Sequence, residues 1–171
     1  QKTGYETTSP EVFAKITDTQ TPQGILTVLK RPVYSLEELL DKPNPLYIIL
    51  ENLQDPGNLG TIIRTGEGAG ITGVIMSSQT VDIFNPKVVQ ATMGAIFRVK
   101  MHYVDLPALS EKILAAGGKV YGTFLDGINI YQRDLDTGSS SPVMIVIGNE
   151  SEGISDTMGK LVSDRLYIPP F

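Results

Sequence analysis

Two polar clusters, each at the end of an apolar run, hold the residues best able to do chemistry. In the first, Leu46-Tyr47-Ile48-Ile49-Leu50 gives way to Glu51-Asn52-Leu53-Gln54-Asp55-Pro56-Gly57-Asn58-Leu59-Gly60, and Arg64 follows six residues after Asn58. In the second, Val143-Met144-Ile145-Val146-Ile147 breaks into Gly148-Asn149-Glu150-Ser151-Glu152-Gly153. A guanidinium carries five donors and no acceptor, so Arg64 suits a carboxylate, a phosphate or a developing oxyanion. Its neighbours Ile62 and Ile63 are apolar, and an arginine is costly to bury without a partner. An ion pair and an anion site are therefore equal readings of it. Glu150, at the edge of a strong strand, is the candidate partner for Arg64 or for a ligand.

Structural readings stand beside these. Asn58 can cap a helix, with Gly57 and Gly60 letting that helix start close to the strand. Asn149 and Ser151 can cap a turn, and Glu152 can sit in solvent. Thr123-Phe124-Leu125-Asp126-Gly127 ends a third strand and either turns the chain or lines the same pocket. Ile168-Pro169-Pro170-Phe171 is apolar and suits packing or one wall for a flat ligand.

The elements that must position these groups alternate from residue 46 onward. Strands are expected at 46–50, 73–76, 99–104, 120–124, 143–147 and 165–168. Helices are expected at 58–69, stopped by Gly70, at 86–93 after Asn85, at 106–116 after Asp105, and at 155–161. Such alternation means an α/β fold, a mostly parallel six-stranded sheet with helices on both faces. Ligands of such sheets bind where the strands end at their carboxyl edge. Ser35 and Glu38 form a capping box opening a short helix at 36–40. Lys42-Pro43-Asn44-Pro45 marks a boundary, so 34–45 is a linker to a domain of 46–171. Residues 1–33 are unlike the rest: Pro22-Gln23-Gly24 reads as a turn and Ile25–Leu29 as a strand. They read as the end of another small domain, and the start at Gln1 as the mark of a longer protein. Gly138–Pro142 is a loop.

Composition excludes several classes. The 171 residues are 41% hydrophobic, contain no cysteine and only one histidine, and carry a net charge of −5. Without cysteine there are no disulfides or thiolate metal sites, which fits a reducing compartment. A histidine metal site or a Ser-His-Asp triad would rest wholly on His102. No apolar run approaches the roughly 20 residues that span a bilayer. The acidic balance argues against a nucleic-acid coat, though Lys87, Arg98, Lys100 and His102, or Lys30-Arg31, can form a local basic patch or simply a solvated face. No G-x-x-x-x-G-K-[ST] loop is present, and neither the glycine fingerprint nor the acidic ribose ligand of a Rossmann dehydrogenase follows the strand expected at 46–50.

Taken in order, Asn58-x-Gly60-x-x-x-Arg64, Ile147-Gly148-Asn149-Glu150-x-x-Gly153 and Tyr167-Ile168-Pro169 resemble the SpoU/TrmH branch of the SPOUT RNA methyltransferases, over roughly residues 46–171. Residues 1–33 resemble the end of the ribosomal-protein-like RNA-binding domain that many members carry. The resemblance implies an RNA ribose 2′-O-methyltransferase that uses S-adenosylmethionine, is a cytoplasmic homodimer, needs no metal and acts on ribosomal or transfer RNA, ribosomal foremost. It implies a sheet whose C-terminal part threads a trefoil knot, an exception to the rule against knots. It matches Arg64 to the catalytic arginine, near the partner's cofactor pocket, supported by Asn58 and Glu150. It matches Gly148 and Ile168 to cofactor-binding positions, with Asn149 beside them and Thr123 and Leu125 as weaker carry-overs. Family members continue past Ile-Pro with a helix opened by Ser-Leu-Asn; this chain stops at Phe171, so the knot and the last motif are expected to be incomplete. A catalytically inactive RNA-binding module of the same fold is the alternative, and the intact Arg64, Asn58 and Glu150 speak against it.

Overall fold

In the computed structural model, residues 4–132, 134–135 and 141–170 are described. Gly138–Ser140 of the expected loop and Phe171 of the apolar C-terminal stretch lie outside them. The chain divides into two units, residues 1–32 and 33–171.

The first unit holds one helix, α1 (Pro10–Ile16), which the sequence reading did not foresee; Ser9 caps it by accepting from the Val12 amide at 3.3 Å. The strand expected at Ile25–Leu29 does not form. Ile25 and Val28 are 84% and 88% exposed, and no neighbouring strand among the described residues pairs with them. A strand draws its stability from a partner and a covered face, and this segment has neither.

The second unit runs α2 (Leu36–Leu40), β1 (Leu46–Leu50), α3 (Pro56–Ala69), β2 (Gly73–Met76), α4 (Pro86–Ala91), β3 (Lys100–Tyr103), α5 (Leu106–Ala115), β4 (Lys119–Asn129), β5 (Val143–Ile147), α6 (Asp156–Gly159) and β6 (Asp164–Tyr167). The six strands form one sheet in the order β3-β2-β1-β5-β4-β6, and every pairing is parallel. Strand residues alternate between two cores. Leu50, Val74 and Met76 face α3 and α4, while Tyr47, Ile49 and Ile75 face α2, α5 and α6. A layer of helices thus covers each face. The segment expected as a linker belongs to this packing: Leu39 is fully buried and its carbonyl accepts from the Tyr47 hydroxyl at 2.7 Å.

Helix boundaries shift for local reasons. Asp55, not Asn58, caps α3, its carboxylate accepting from the Asn58 amide, so the helix opens two residues early at Pro56. Proline suits the first turn because its missing N–H would be unsatisfied there. The helix ends at Gly70, whose φ of 74° is the left-handed stop the sequence announced. α4 stops at Ala91 and a single 3₁₀ turn, Ala95–Phe97, follows. α6 is shorter than expected, with Ser155 as its cap.

One irregularity shapes the site. Leu166 of β6 pairs with both Thr123 and Ile128 of β4, so residues 124–127 leave the ladder as an excursion. Arg165 pins it, its guanidinium lying 3.5 Å from the Phe124 ring centroid and donating to Asp126 at 2.6 Å.

Candidate functional site

The strand order turns between β1 and β5: from β1 the chain builds outward through β2 and β3, and on the other side through β4 and β6. At such a turning point the loops leaving neighbouring strands diverge, and a crevice opens at their carboxyl ends. A cavity of about 760 Å³ lies there. It is walled by Asn58, Thr61 and Ile62 of α3, by Thr123–Asp126, by the whole stretch Ile147–Ile154, and by Tyr167 and Ile168.

The loop after β5 is built on close backbone approach. The Asn149 amide donates to the Gly153 carbonyl and the Gly153 amide to the Asn149 carbonyl, both at 2.9 Å. A Cβ on Gly148 would overlap the Gly153 carbonyl and the Ile154 amide, so only glycine fits. Asn149 also accepts from the Ser151 and Glu152 amides at 2.8 and 3.0 Å, the turn-capping role foreseen for it. Thr123 donates its hydroxyl to the Val146 carbonyl at 3.0 Å, tying β4 to β5 at the cavity floor. Leu125 is 94% exposed and Ile168 56%, apolar surface presented at the rim.

Glu150 does not pair with Arg64. Its carboxylate accepts from the Gln54 amide at 3.2 Å, the Asp55 amide at 3.0 Å and the Asn58 side chain at 3.3 Å. Partial burial raises its pKa, but the Asp55, Glu150 and Gln54 amides and the Asn58 side chain outweigh that and hold the carboxyl below its ordinary value. Sequence reasoning missed this cradle, although Asp55-Pro56 ahead of a helical run is a start signal that exposes the first amides of α3.

Arg64 is exposed, lies outside the cavity wall and makes no hydrogen bond or ion pair among the described residues. The expectation of an apolar setting fails because Ile63 faces the core while Arg64, one residue on, turns about 100° away. Seven of the eight singled-out residues thus share one cavity and the eighth stands apart. The anticipated basic patch is also mostly engaged: Arg98 pairs with Glu67 at 2.7 Å, His102 Nδ1 lies 2.9 Å from the Tyr34 carbonyl, and Lys100 stands 5.8 Å from the Tyr34 ring centroid.

Residues 45–171 match the model of the SpoU rRNA Methylase family. The chain belongs to that family. This SpoU methylase chain is 34% identical over 161 residues to the 23S rRNA (guanosine(2553)-2′-O)-methyltransferase RlmP of Bacillus subtilis, covering 94% of this chain and 62% of that protein. It is 44% identical over 204 residues to rRNA methyltransferase 3, mitochondrial, of Mus musculus, covering 89% of this chain and 48% of that protein. Among solved structures it is similar to the AdoMet-bound rRNA methyltransferase from Sinorhizobium meliloti, with a TM-score of 0.84 at 31% identity over 95% of this chain and 62% of that one. The SpoU chain therefore spans less than two thirds of each of these proteins. No described helix is long and apolar enough to cross a membrane.

Proposed function

We propose that the protein carrying this chain is an RNA ribose 2′-O-methyltransferase that uses S-adenosylmethionine. One observation carries the reading: among the described residues the cavity walls contain Asp126, Glu150 and Glu152 but no lysine, arginine or histidine. A dinucleotide or other phosphate-rich cofactor would meet carboxylates, of which Asp126 is paired with Arg165, and no cation in the described wall. S-adenosylmethionine instead carries a net positive charge, its sulfonium and ammonium outweighing one carboxylate, with a flat base that suits Ile147, Leu125 and Ile168. The volume is in the range of small-molecule sites, and the close-packed backbone at Gly148 and Gly153 offers amides and carbonyls without side-chain interference. Gly148, Asn149, Thr123, Leu125 and Ile168 would hold the cofactor.

Bound there, the cofactor supplies a methyl group already activated by the positive sulfur, so the reaction needs a nucleophile more than an acid. The ribose hydroxyl becomes one as its proton passes to solvent water. Arginine does not deprotonate in proteins, so Arg64 acts as a donor that stabilises the developing alkoxide or grips the neighbouring phosphate. Asn58 and Glu150 fix the start of its helix. Because Arg64 is exposed and outside its own cavity, we assign it to the cavity of a second copy in a two-fold homodimer, where each interface patch serves twice. The relatives named for ribosomal RNA favour that substrate class over transfer RNA.

Calorimetry on the full-length protein tests the reading. S-adenosylmethionine should bind and a nicotinamide dinucleotide should not, and ribosomal RNA should gain 2′-O-methyl groups. Preference for the dinucleotide would end the proposal, and RNA binding without methyl-donor binding would favour the inactive module.

A further inference from the structure

Glu51 stands at the carboxyl end of β1, only 7% exposed, and it does not line the cavity. Its amide donates to the Ile147 carbonyl at 2.9 Å, carrying the β1–β5 ladder one residue further. Its carboxylate then spans to a single distant residue. The Ser155 amide donates to Oε2 at 2.9 Å and the Ser155 hydroxyl to Oε1 at 2.6 Å. Ser155 Oγ in turn accepts from the Met158 amide at 3.2 Å and caps α6.

Asn52, the next residue, grips the other end of the same loop. Its carbonyl accepts from the Asn149 side chain at 2.8 Å. Its own backbone is held in the left-handed region, φ 57°, by Ser77, which accepts from the Asn52 amide at 2.9 Å and donates to its Oδ1 at 2.8 Å. The cavity-lining residues between Asn149 and Ser155 are thus tied at both ends to two consecutive residues of β1's exit.

We propose that Glu51 is a positioning residue for the methyl donor, its two-point grip on Ser155 setting where the backbone of residues 148–154 lies against the cavity. The inference rests on the function proposed above. A carboxylate this far from water is a poor choice for stability alone, since a well-packed apolar residue of like volume serves as well or better. What two acceptors facing two donors on one residue do provide is a fixed distance and orientation. The loop held in this way contributes seven consecutive residues, 148–154, to the cavity wall. Glu51 touches neither reactant, so its effect should appear in donor affinity and not in the chemical step.

The test uses the full-length protein and reads three quantities: S-adenosylmethionine affinity by calorimetry, RNA affinity, and turnover at saturating donor. Glu51→Gln keeps the volume but offers one acceptor to two donors, and Ser155→Ala removes one donor from the other side together with the side-chain cap of α6. Each should weaken donor binding by about tenfold, the size of one hydrogen bond to a charged group. RNA affinity and saturated turnover should change by less than about twofold, since neither rests on this grip. The double variant should bind donor no worse than the weaker single variant, because both remove the same interaction. Normal donor affinity in a folded variant, additive losses, or a parallel fall in RNA affinity, turnover and melting temperature would each overturn the assignment. A parent protein that binds no S-adenosylmethionine would instead remove the functional reading itself.

Discussion

Arg64→Ala should separate chemistry from folding, and the structure sets the size of both effects. The side chain is exposed and has no hydrogen bond or ion pair among the described residues, so its removal forfeits no partner. It lies in the interior of α3, where alanine is at least as good a helix former as arginine. Surface changes of this kind stay within about 0.5 kcal/mol. For a chain of this size that is a melting shift of roughly 1–2 °C. Donor affinity should also hold, since Arg64 is absent from its own cavity wall and is proposed to reach the second copy's cavity for the ribose oxygen, not for the cofactor. The methylation step should behave otherwise. Losing a preorganised donor to a developing oxyanion costs roughly 2.7–4 kcal/mol, about 10²–10³ in rate. Single-turnover methylation of ribosomal RNA by the full-length protein, read beside calorimetry and a thermal melt, measures all three. Arg64→Lys should recover little, because an ammonium cannot reproduce the planar fork. Near-normal turnover would refute the catalytic role, and a fall of many degrees in melting temperature would refute the picture of a side chain with no structural task.

Other substitutions probe the scaffold of the site. Gly148→Ala drives a methyl into the Gly153 backbone, so donor binding should be lost while melting shows an overpacking cost of about 1–3 kcal/mol; unchanged donor affinity would mean the loop is not the cofactor's seat. Asp55→Ala should cost about 1 kcal/mol as the loss of a helix cap, and Asn58→Ala less, the reverse of what capping by Asn58 would give; urea unfolding of both decides it. Glu150 has a folded pKa below its ordinary value of 4.5, so its ionised form stabilises the fold above that value and the contribution fades as pH falls through the lowered one. Glu150→Gln should therefore be less stable than the parent at pH 7, with the gap closing as pH falls below the ordinary value of 4.5 and through the lowered one; a gap that is flat with pH would show that the carboxylate is not the stabilising form.

Much of the arrangement was legible because it is written in local, repeating signals. All six strands form where strands were expected, and in five of them the expected bounds lie within a residue of the observed ones. β4 is the exception, since its extension beyond the excursion depends on pairing with β6, an element more than thirty residues away. Ile25–Leu29 carries the composition of a strand and fails to become one because composition cannot supply a neighbour. Asn58 was expected to cap α3, and the backbone decided for Asp55.

The chain's sequence determined which groups reach the carboxyl edge of the sheet: Gly148, Asn149 and Glu150 after one strand, Thr123 and Leu125 after another, Ile168 after a third, and Asn58 and Arg64 on the helix after the first. Each follows from a strand ending in residues that break it, a property read over ten residues or fewer. Only the tertiary structure decided which of them meet. The order β3-β2-β1-β5-β4-β6 sets β1 beside β5, and that adjacency delivers Glu150 to the amides of Gln54 and Asp55 instead of to Arg64. Arg64 has the sequence neighbours of a buried residue, yet the 100° step of the helix turns it to solvent. Periodicity fixes the face a residue takes relative to its own element, whereas contact between elements depends on the order in which strands pair, and that order is a property of the whole sheet.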